Sequence, residues 1–406
     1  MKPLRVLQVI DALGMGGAET WLMEVLRLWA KNNRGQIDFL ITSGNRGVFD
    51  DEAQRLGAKV FYVRYGRAHL RHFGTKFRHI LKTGAYNAIH DHADYTSGWH
   101  FLFGGTQLPP VRVTHIHNAW IHIQENYAVT PVRRLTTFFG KQLVNTLATN
   151  VCGTSASILR EYGFQPRRAG CPSISVLHCG FDIGRFNKPR EADRQSLLHE
   201  FSWEQDTKVV LFAGRLDRQL EFNHPQNVKN SWFALNVARI AAATDPSVRL
   251  LMAGEDNNLR REIVRHIKKW GLEGKIHVIG VRRDIDRLMR GADVLLFPSQ
   301  QEGLGMVAVE AQAACLPVLS SSAVPRECVV IPELYNVMSL NEPIEHWAAA
   351  LLNAISKARP PLELCRQALE RSPFAIANSA EQLENIYRQG DNVNFSRLRE
   401  MLAAKM

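Results

Sequence analysis

Two glutamates eight residues apart, Glu302 and Glu310, lie in the segment Phe297-Pro298-Ser299-Gln300-Gln301-Glu302-Gly303-Leu304-Gly305-Met306-Val307-Ala308-Val309-Glu310-Ala311. Its first part reads as a strand end and a glycine-bearing loop, its second as a helix. One carboxylate is then in the loop and the other roughly two turns further on, within the helix. A helix N-terminus attracts phosphate through its unpaired N–H groups, and a carboxylate accepts paired hydrogen bonds from vicinal hydroxyls. Together they suit a ligand with phosphates in the middle, a ribose at one end and a sugar ring at the other. Glu310 alone would read as a salt-bridged helix residue.

Two cations are placed to serve the same ligand. Gly214-Arg215 closes a strand and Lys229-Asn230 opens the next helix, so both can hold a diphosphate and stabilise its charge as it leaves. Further upstream, Asp11-Ala12-Leu13-Gly14-Met15-Gly16-Gly17-Ala18-Glu19 joins the first strand to a helix. Gly16 and Gly17 let backbone N–H groups approach an anion. As a nicotinamide fingerprint the run fails, because Glu19 stands at the third glycine and Thr42-Ser43 follows the second strand where a ribose-binding acid is required.

Histidines gather in the same half. His90, His92, His115, His117 and His122 include two H-x-H pairs. A metal is disfavoured, since the pairs fall at strand ends without a carboxylate partner. His117 reads either as a ligand to a sugar hydroxyl or as a cleft histidine holding a loop.

These residues need a scaffold. Short β-branched runs alternate with helical patterns: Leu4–Ile10, Gln36–Ile41, Lys59–Val63, Asn87–His90, Val111–Ile116 and Asn150–Cys152, then Lys208–Gly214, Val248–Gly254, Lys275–Gly280, Asp293–Phe297 and Pro317–Ser320. This βαβ rhythm predicts two tandem doubly wound α/β domains with ligands at the carboxyl ends of their strands. A central cleft between them is the expected site. The expected organisation is a first domain over 1–180, a linker over 181–206, a second domain over 207–372, and a helical segment over 373–406 packing back across the domains. The chain of 406 residues is 45% apolar and 22% charged, which excludes a disordered protein and a disulfide mini-scaffold. No apolar run approaches the roughly 18 residues of a membrane span. Six cysteines without a C-x-x-C pair indicate reduced thiols in a cytoplasmic protein.

The net charge of +11 is uneven: residues 1–180 carry 21 Lys and Arg against 11 Asp and Glu. Arg64, Arg67, Arg71, Lys76, Arg78 and Lys82 surround Leu70, Phe73, Phe77, Ile80 and Leu81 at helical spacing. That segment fits an anionic membrane surface or ligand, or equally a solvated helix with its apolar side in the core. Nucleic acid is not expected, for no recognition motif accompanies the charge.

Gly214-Arg215, Lys229-Asn230, Val248 to Gly254, Gly280 with Asp284, and Phe297 through Glu310-Ala311-Gln312 resemble family-4 glycosyltransferases of the GT-B fold, in the bacterial exopolysaccharide and lipopolysaccharide branch. Gly16-Gly17-Ala18-Glu19, Arg112 to Asn118, Gly153-Thr154-Ser155, and Gly180-Phe181-Asp182 with Phe186 extend the resemblance over nearly the whole chain. It implies a retaining, metal-independent, cofactor-free hexosyltransferase that moves a sugar from a nucleotide-diphosphate sugar, a UDP-sugar being expected, to a surface polysaccharide, lipopolysaccharide or lipid-linked acceptor. It also implies that Arg215 and Lys229 neutralise the diphosphate, that Glu310 holds the ribose, and that Glu302 holds the transferred sugar. Gly303, Leu304 and Gly305 would form the phosphate site and Gly16 and Gly17 would close it, with Val281 against the base and His117 near the sugar. Cys179, Cys315 and a long Asp217–Val228 segment depart from the family pattern. A sugar-nucleotide epimerase of the same architecture and a non-catalytic partner subunit are the alternative readings. Peripheral attachment at the inner face of the cytoplasmic membrane is a further expectation.

Overall fold

A computed structural model describes residues 3–126, 129–164, 172–222, 224–256 and 258–389. Thirteen strands among them form two all-parallel sheets. The first contains β1 (Leu4–Ile10), β2 (Gly35–Ile41), β3 (Val60–Tyr62), β4 (Ala88–Asp91), β5 (Val111–Ile116), β6 (Asn150–Gly153) and β7 (Ser173–Val176), in the order β3-β2-β1-β4-β5-β6-β7. The second contains β8 (Lys208–Ala213), β9 (Val248–Ala253), β10 (Ile276–Gly280), β11 (Val294–Phe297), β12 (Val318–Ser321) and β13 (Tyr335–Met338), in the order β10-β9-β8-β11-β12-β13. Strands buried on both faces need apolar residues at successive positions; β8 and β11 supply them and lie in the apolar core of the second sheet with Phe233, Met252 and Trp347. The winding reverses between β1 and β4 and between β8 and β11. Loops leaving the carboxyl ends of neighbouring strands diverge at such a reversal and open a ligand crevice.

The chain divides into two compact units. Met1–Trp120, Tyr127–Phe181 and Ile376–Met406 form the first, and Ile121–Asn126 with Asp182–Ala375 form the second. The helix Ile376–Arg388 therefore belongs with the first sheet. Its Ser379 hydroxyl accepts a hydrogen bond from Trp21 Nε1 at 2.9 Å and donates to the His178 carbonyl at 2.7 Å. Residues 390–406, which carry the rest of the expected helical tail, lie outside the described residues, as does Cys171. The other five cysteines are free and buried.

One expectation is corrected, and two further segments take a definite form. The segment 181–206 is not an open linker: the helices Ile183–Phe186 and Glu191–Glu200 pack within the second unit, where Arg190 and Arg194 pair with Asp293 at 2.9 and 2.8 Å. The basic segment forms the helix Leu70–Gly84, and its apolar stripe of Phe73, Phe77, Ile80 and Leu81 is buried, so this helix turns charged and polar side chains outward. Asp284 holds the N-cap position of the helix Ile285–Gly291 without a side-chain capping bond. Arg282 and Arg287 capture its carboxylate instead, each at 2.8 Å or less, because a guanidinium binds a carboxylate more strongly than a backbone N–H does.

Candidate functional site

At the β8–β11 reversal the chain places most of the expected donor-binding residues. Gly214 and Arg215 follow β8, and Lys229 immediately precedes the helix Ser231–Thr244 and its cap Asn230. A Cβ on Gly214 would lie 3.3 Å from Lys229 Cγ, so the missing side chain lets the lysine stem cross the end of β8. Lys229 Nζ then reaches Glu302 Oε1 at 2.5 Å. Glu302 comes from the loop after β11, so the two strands flanking the reversal contribute opposite members of one ion pair. Both side chains are largely buried, at 23% and 9% exposure. Arg215 is exposed, and no carboxylate among the described residues pairs with it.

The loop continues through Gly303 and the buried Leu304 to Gly305, cap of the helix Met306–Ala313. Gly305 has φ 92, and a Cβ there would sit 2.9 Å from Val324 and 3.1 Å from Phe297. Glycine is thus required on both backbone and steric grounds. Glu310 is the fifth residue of that helix. Burial pushes its carboxyl up to about 7; Arg185 opposes the shift and Asp286 adds to it. Val281, after Gly280 at the end of β10, is 54% exposed.

The long segment between Arg215 and Lys229 is organised around Asn227, which is fully buried. Its amide donates to the carbonyls of Gln219 and Glu221, and its oxygen accepts from the N–H groups of Arg218 and Gln219. Gln300 donates to the carbonyls of His224 and Asn227, which ties the segment to the Glu302 loop. Asp217 accepts from Trp232 N and so caps the start of the helix after Lys229. Burial raises its carboxyl to about 6 against several hydrogen bonds.

In the first unit, Gly16 caps the helix Gly17–Asn32 after β1, and His117 follows β5. Sequence reading missed Asp94, which holds the His117 loop. Its carboxylate accepts from His117 N at 2.8 Å, from Asn118 N at 3.4 Å and from the Asn118 amide at 2.7 Å, while burial raises it to about 6. Desolvation lowers His117 to about 4, so its ring is neutral at pH 7. His90, His92 and His115 are buried beside it, with potential ligand atoms within 4.8 Å of one another. His90 is stacked on His92 at 4.2 Å and on His115 at 5.2 Å, while His92 and His115 are tilted by 44° to each other. His122 lies on the helix Trp120–Asn126.

Residues 193–371 match the family model for glycosyl transferases group 1. The chain is 29% identical over 390 residues to EpsF of Bacillus subtilis (strain 168), covering 94% of this chain and 96% of that protein. It is 22% identical over 361 residues to the capsular polysaccharide biosynthesis glycosyltransferase CapH of Staphylococcus aureus, covering 88% and 92%. Among solved structures, HepE of Anabaena in complex with UDP superposes with a TM-score of 0.71 at 18% identity, covering 95% of this chain and 99% of that one. WaaG, a glycosyltransferase involved in lipopolysaccharide biosynthesis, gives 0.66 at 14% identity, with 95% and 98% covered. The second domain of the chain is a glycosyl transferases group 1 domain, and the two Rossmann-like sheets together have the fold of the GT-B glycosyltransferases.

Proposed function

We propose that this glycosyltransferase moves a sugar from a UDP-sugar, with retention of configuration and without a metal, to a growing surface polysaccharide, a lipopolysaccharide or its lipid-linked precursor. The observation that carries the reading is the Lys229–Glu302 ion pair at the end of β8, joined by a short loop to the Gly305–Glu310 helix start. Lys229 and Arg215 take the diphosphate charge together with the N–H groups of Leu304 and Gly305. Glu302 then accepts from sugar hydroxyls, Glu310 accepts from the ribose, and Val281 meets the base. Gly16 and Gly17 serve the phosphates and His117 a sugar hydroxyl. The acceptor oxygen bonds to the anomeric carbon on the face that the diphosphate leaves. The carbon–oxygen bond to phosphate breaks with its electrons going to the nucleotide, and a phosphate oxygen takes the acceptor's proton. HepE bound to UDP and the name of CapH support the donor and acceptor classes.

A thermal-shift series with UDP, GDP and ADP tests the donor site, since a ligand that binds the native state raises its apparent stability. UDP is expected to raise Tm in the presence of chelator, and Glu310→Ala to lose that shift. Absence of any nucleotide shift in the wild type would overturn the assignment.

No helix among the described residues is long and apolar enough to cross a membrane. Peripheral attachment is part of the proposal, and the helix Pro131–Leu147 supports it, with Val132, Leu135, Phe138 and Phe139 47–56% exposed beside Arg133 and Arg134. Exposed apolar side chains flanked by cations match an anionic bilayer surface. Leu135→Asp with Phe139→Asp is expected to weaken co-sedimentation with anionic vesicles at least about tenfold. Equal sedimentation of variant and wild type would remove this helix from the reading.

A further inference from the structure

A buried chain of hydrogen bonds runs from the helix Ile376–Arg388 to His117 inside the first unit. Gln8 Nε2 donates to the Tyr387 hydroxyl at 2.9 Å, and that hydroxyl is 2.7 Å from His90 Nδ1. Gln8 Oε1 is 2.9 Å from His92 Nε2, and His92 Nδ1 is 2.9 Å from His117 Nε2. Trp21 closes the pocket edge-on against His90, His92 and His115. His92 uses both ring nitrogens in the chain, which leaves it none for a metal.

Burial keeps these rings neutral, and a neutral imidazole has one donor and one acceptor. The chain therefore has a direction. With its amide N–H on Tyr387, Gln8 offers only an acceptor to His92, so His92 carries its proton on Nε2. His92 Nδ1 must then accept, and His117 Nε2–H must donate. The lone pair of His117 is left on Nδ1. In this direction Tyr387 accepts from Gln8 and donates to His90 Nδ1, which puts the His90 proton on Nε2. His115 donates from Nε2 to the Leu177 carbonyl at 3.1 Å. In this cluster the ring nitrogens buried without a hydrogen-bond partner, His90 Nε2 and His115 Nδ1, are then one donor and one acceptor. Reversing the chain would make both acceptors, so the leftover groups are complementary only in the direction described.

We propose that Tyr387, Gln8 and His92 are positioning residues that hold His117 as its Nε2–H tautomer, so that Nδ1 accepts a hydrogen bond from a sugar hydroxyl. The sugar contact rests on the function proposed above; the tautomer does not. A substrate presenting a hydroxyl donor is then selected over one presenting only an acceptor, such as the corresponding methyl ether.

Long-range proton–nitrogen NMR of the full chain labelled with nitrogen-15 histidine reads the tautomer without substrate, the His117 signals being those lost in His117→Asn. Wild type is expected to show Nε2–H alone. Tyr387→Phe removes one hydroxyl and frees the Gln8 amide to turn, and Gln8→Leu removes the link. Both are expected to give mixed tautomers and about tenfold slower sugar transfer with unchanged affinity for UDP. An Nδ1–H tautomer in the wild type, or an unmixed tautomer in folded Tyr387→Phe, overturns the proposal. Failure of the wild type to bind UDP instead strikes the proposed function and leaves the tautomer result standing. Should Gln8→Leu fail to fold, Tyr387→Phe carries the test.

Discussion

Lys229→Met is expected to lower sugar transfer by about two to three orders of magnitude, the size of effect seen when a group aimed at a developing oxyanion is removed. It is also expected to destabilise the fold by about 3 kcal/mol, because Glu302 is left in a nearly buried position without its cationic partner. These losses have different origins and can be separated. Adding Glu302→Gln removes the stranded charge, so the double variant should recover most of the Tm while remaining inactive. Recovery of activity along with stability would mean that the ion pair only braces the loop. Activity assays and thermal melts on the two single variants and the double variant decide between these outcomes.

Acidification is expected to weaken the fold through its histidines. Burial holds His90, His92 and His115 well below their ordinary proton affinity and His117 at about 4. The unfolded chain takes up protons at these sites near pH 6.5 while the native state does not. Their stabilising contribution is thus complete above about pH 6.5 and is lost as the pH falls below it. At about pH 5 His117 alone accounts for about 2 kcal/mol, and the three rings beside it act in the same direction. Asp94, Asp217 and Glu310 work in the opposite sense, because burial raises their folded-state pKa to about 6, 6 and 7. They gain proton binding in the native state over the same interval and offset about 5 kcal/mol. The slope between pH 7 and 5 is the balance of these two opposed sets. Denaturant titrations across that range measure it, and His115→Gln should reduce the pH slope by about one proton. A slope unaffected by that substitution would contradict neutral burial of the ring.

Much of this architecture was legible because its central strands are locally encoded. Leu4–Ile10 and Val111–Ile116 were read with the bounds they have in the structure. β7 and β13 were not read. Each is a four-residue strand at a sheet edge with no fully buried residue, so the continuous apolar run that marks a parallel strand is missing. The strand–loop–helix segments carrying Arg215, Lys229, Glu302 and Glu310 were legible for the same local reason. Asp94 acts on a loop 23 residues away, and Gln8 meets Tyr387 across 379 residues. No periodicity announces such contacts; a buried polar side chain shows its role only when its partner arrives. The basic helix Leu70–Gly84 taught the converse, since charge pattern alone could not say whether its apolar stripe faced the core or a bilayer.

The return of the helix Ile376–Arg388 to the first sheet has a consequence for biosynthesis. A ribosome makes β1 through β7 first, then residues 182–375, and only afterwards the helix that supplies Ser379 and Tyr387. Until then Trp21 Nε1, Gln8 and His90 lack the hydroxyls that satisfy them. Domains generally mature in the order of synthesis, but here the earlier-made one is completed last. A nascent chain that stalls within the second domain carries an unfinished first domain, with an apolar helix face and unmatched polar groups open to chaperones and proteases.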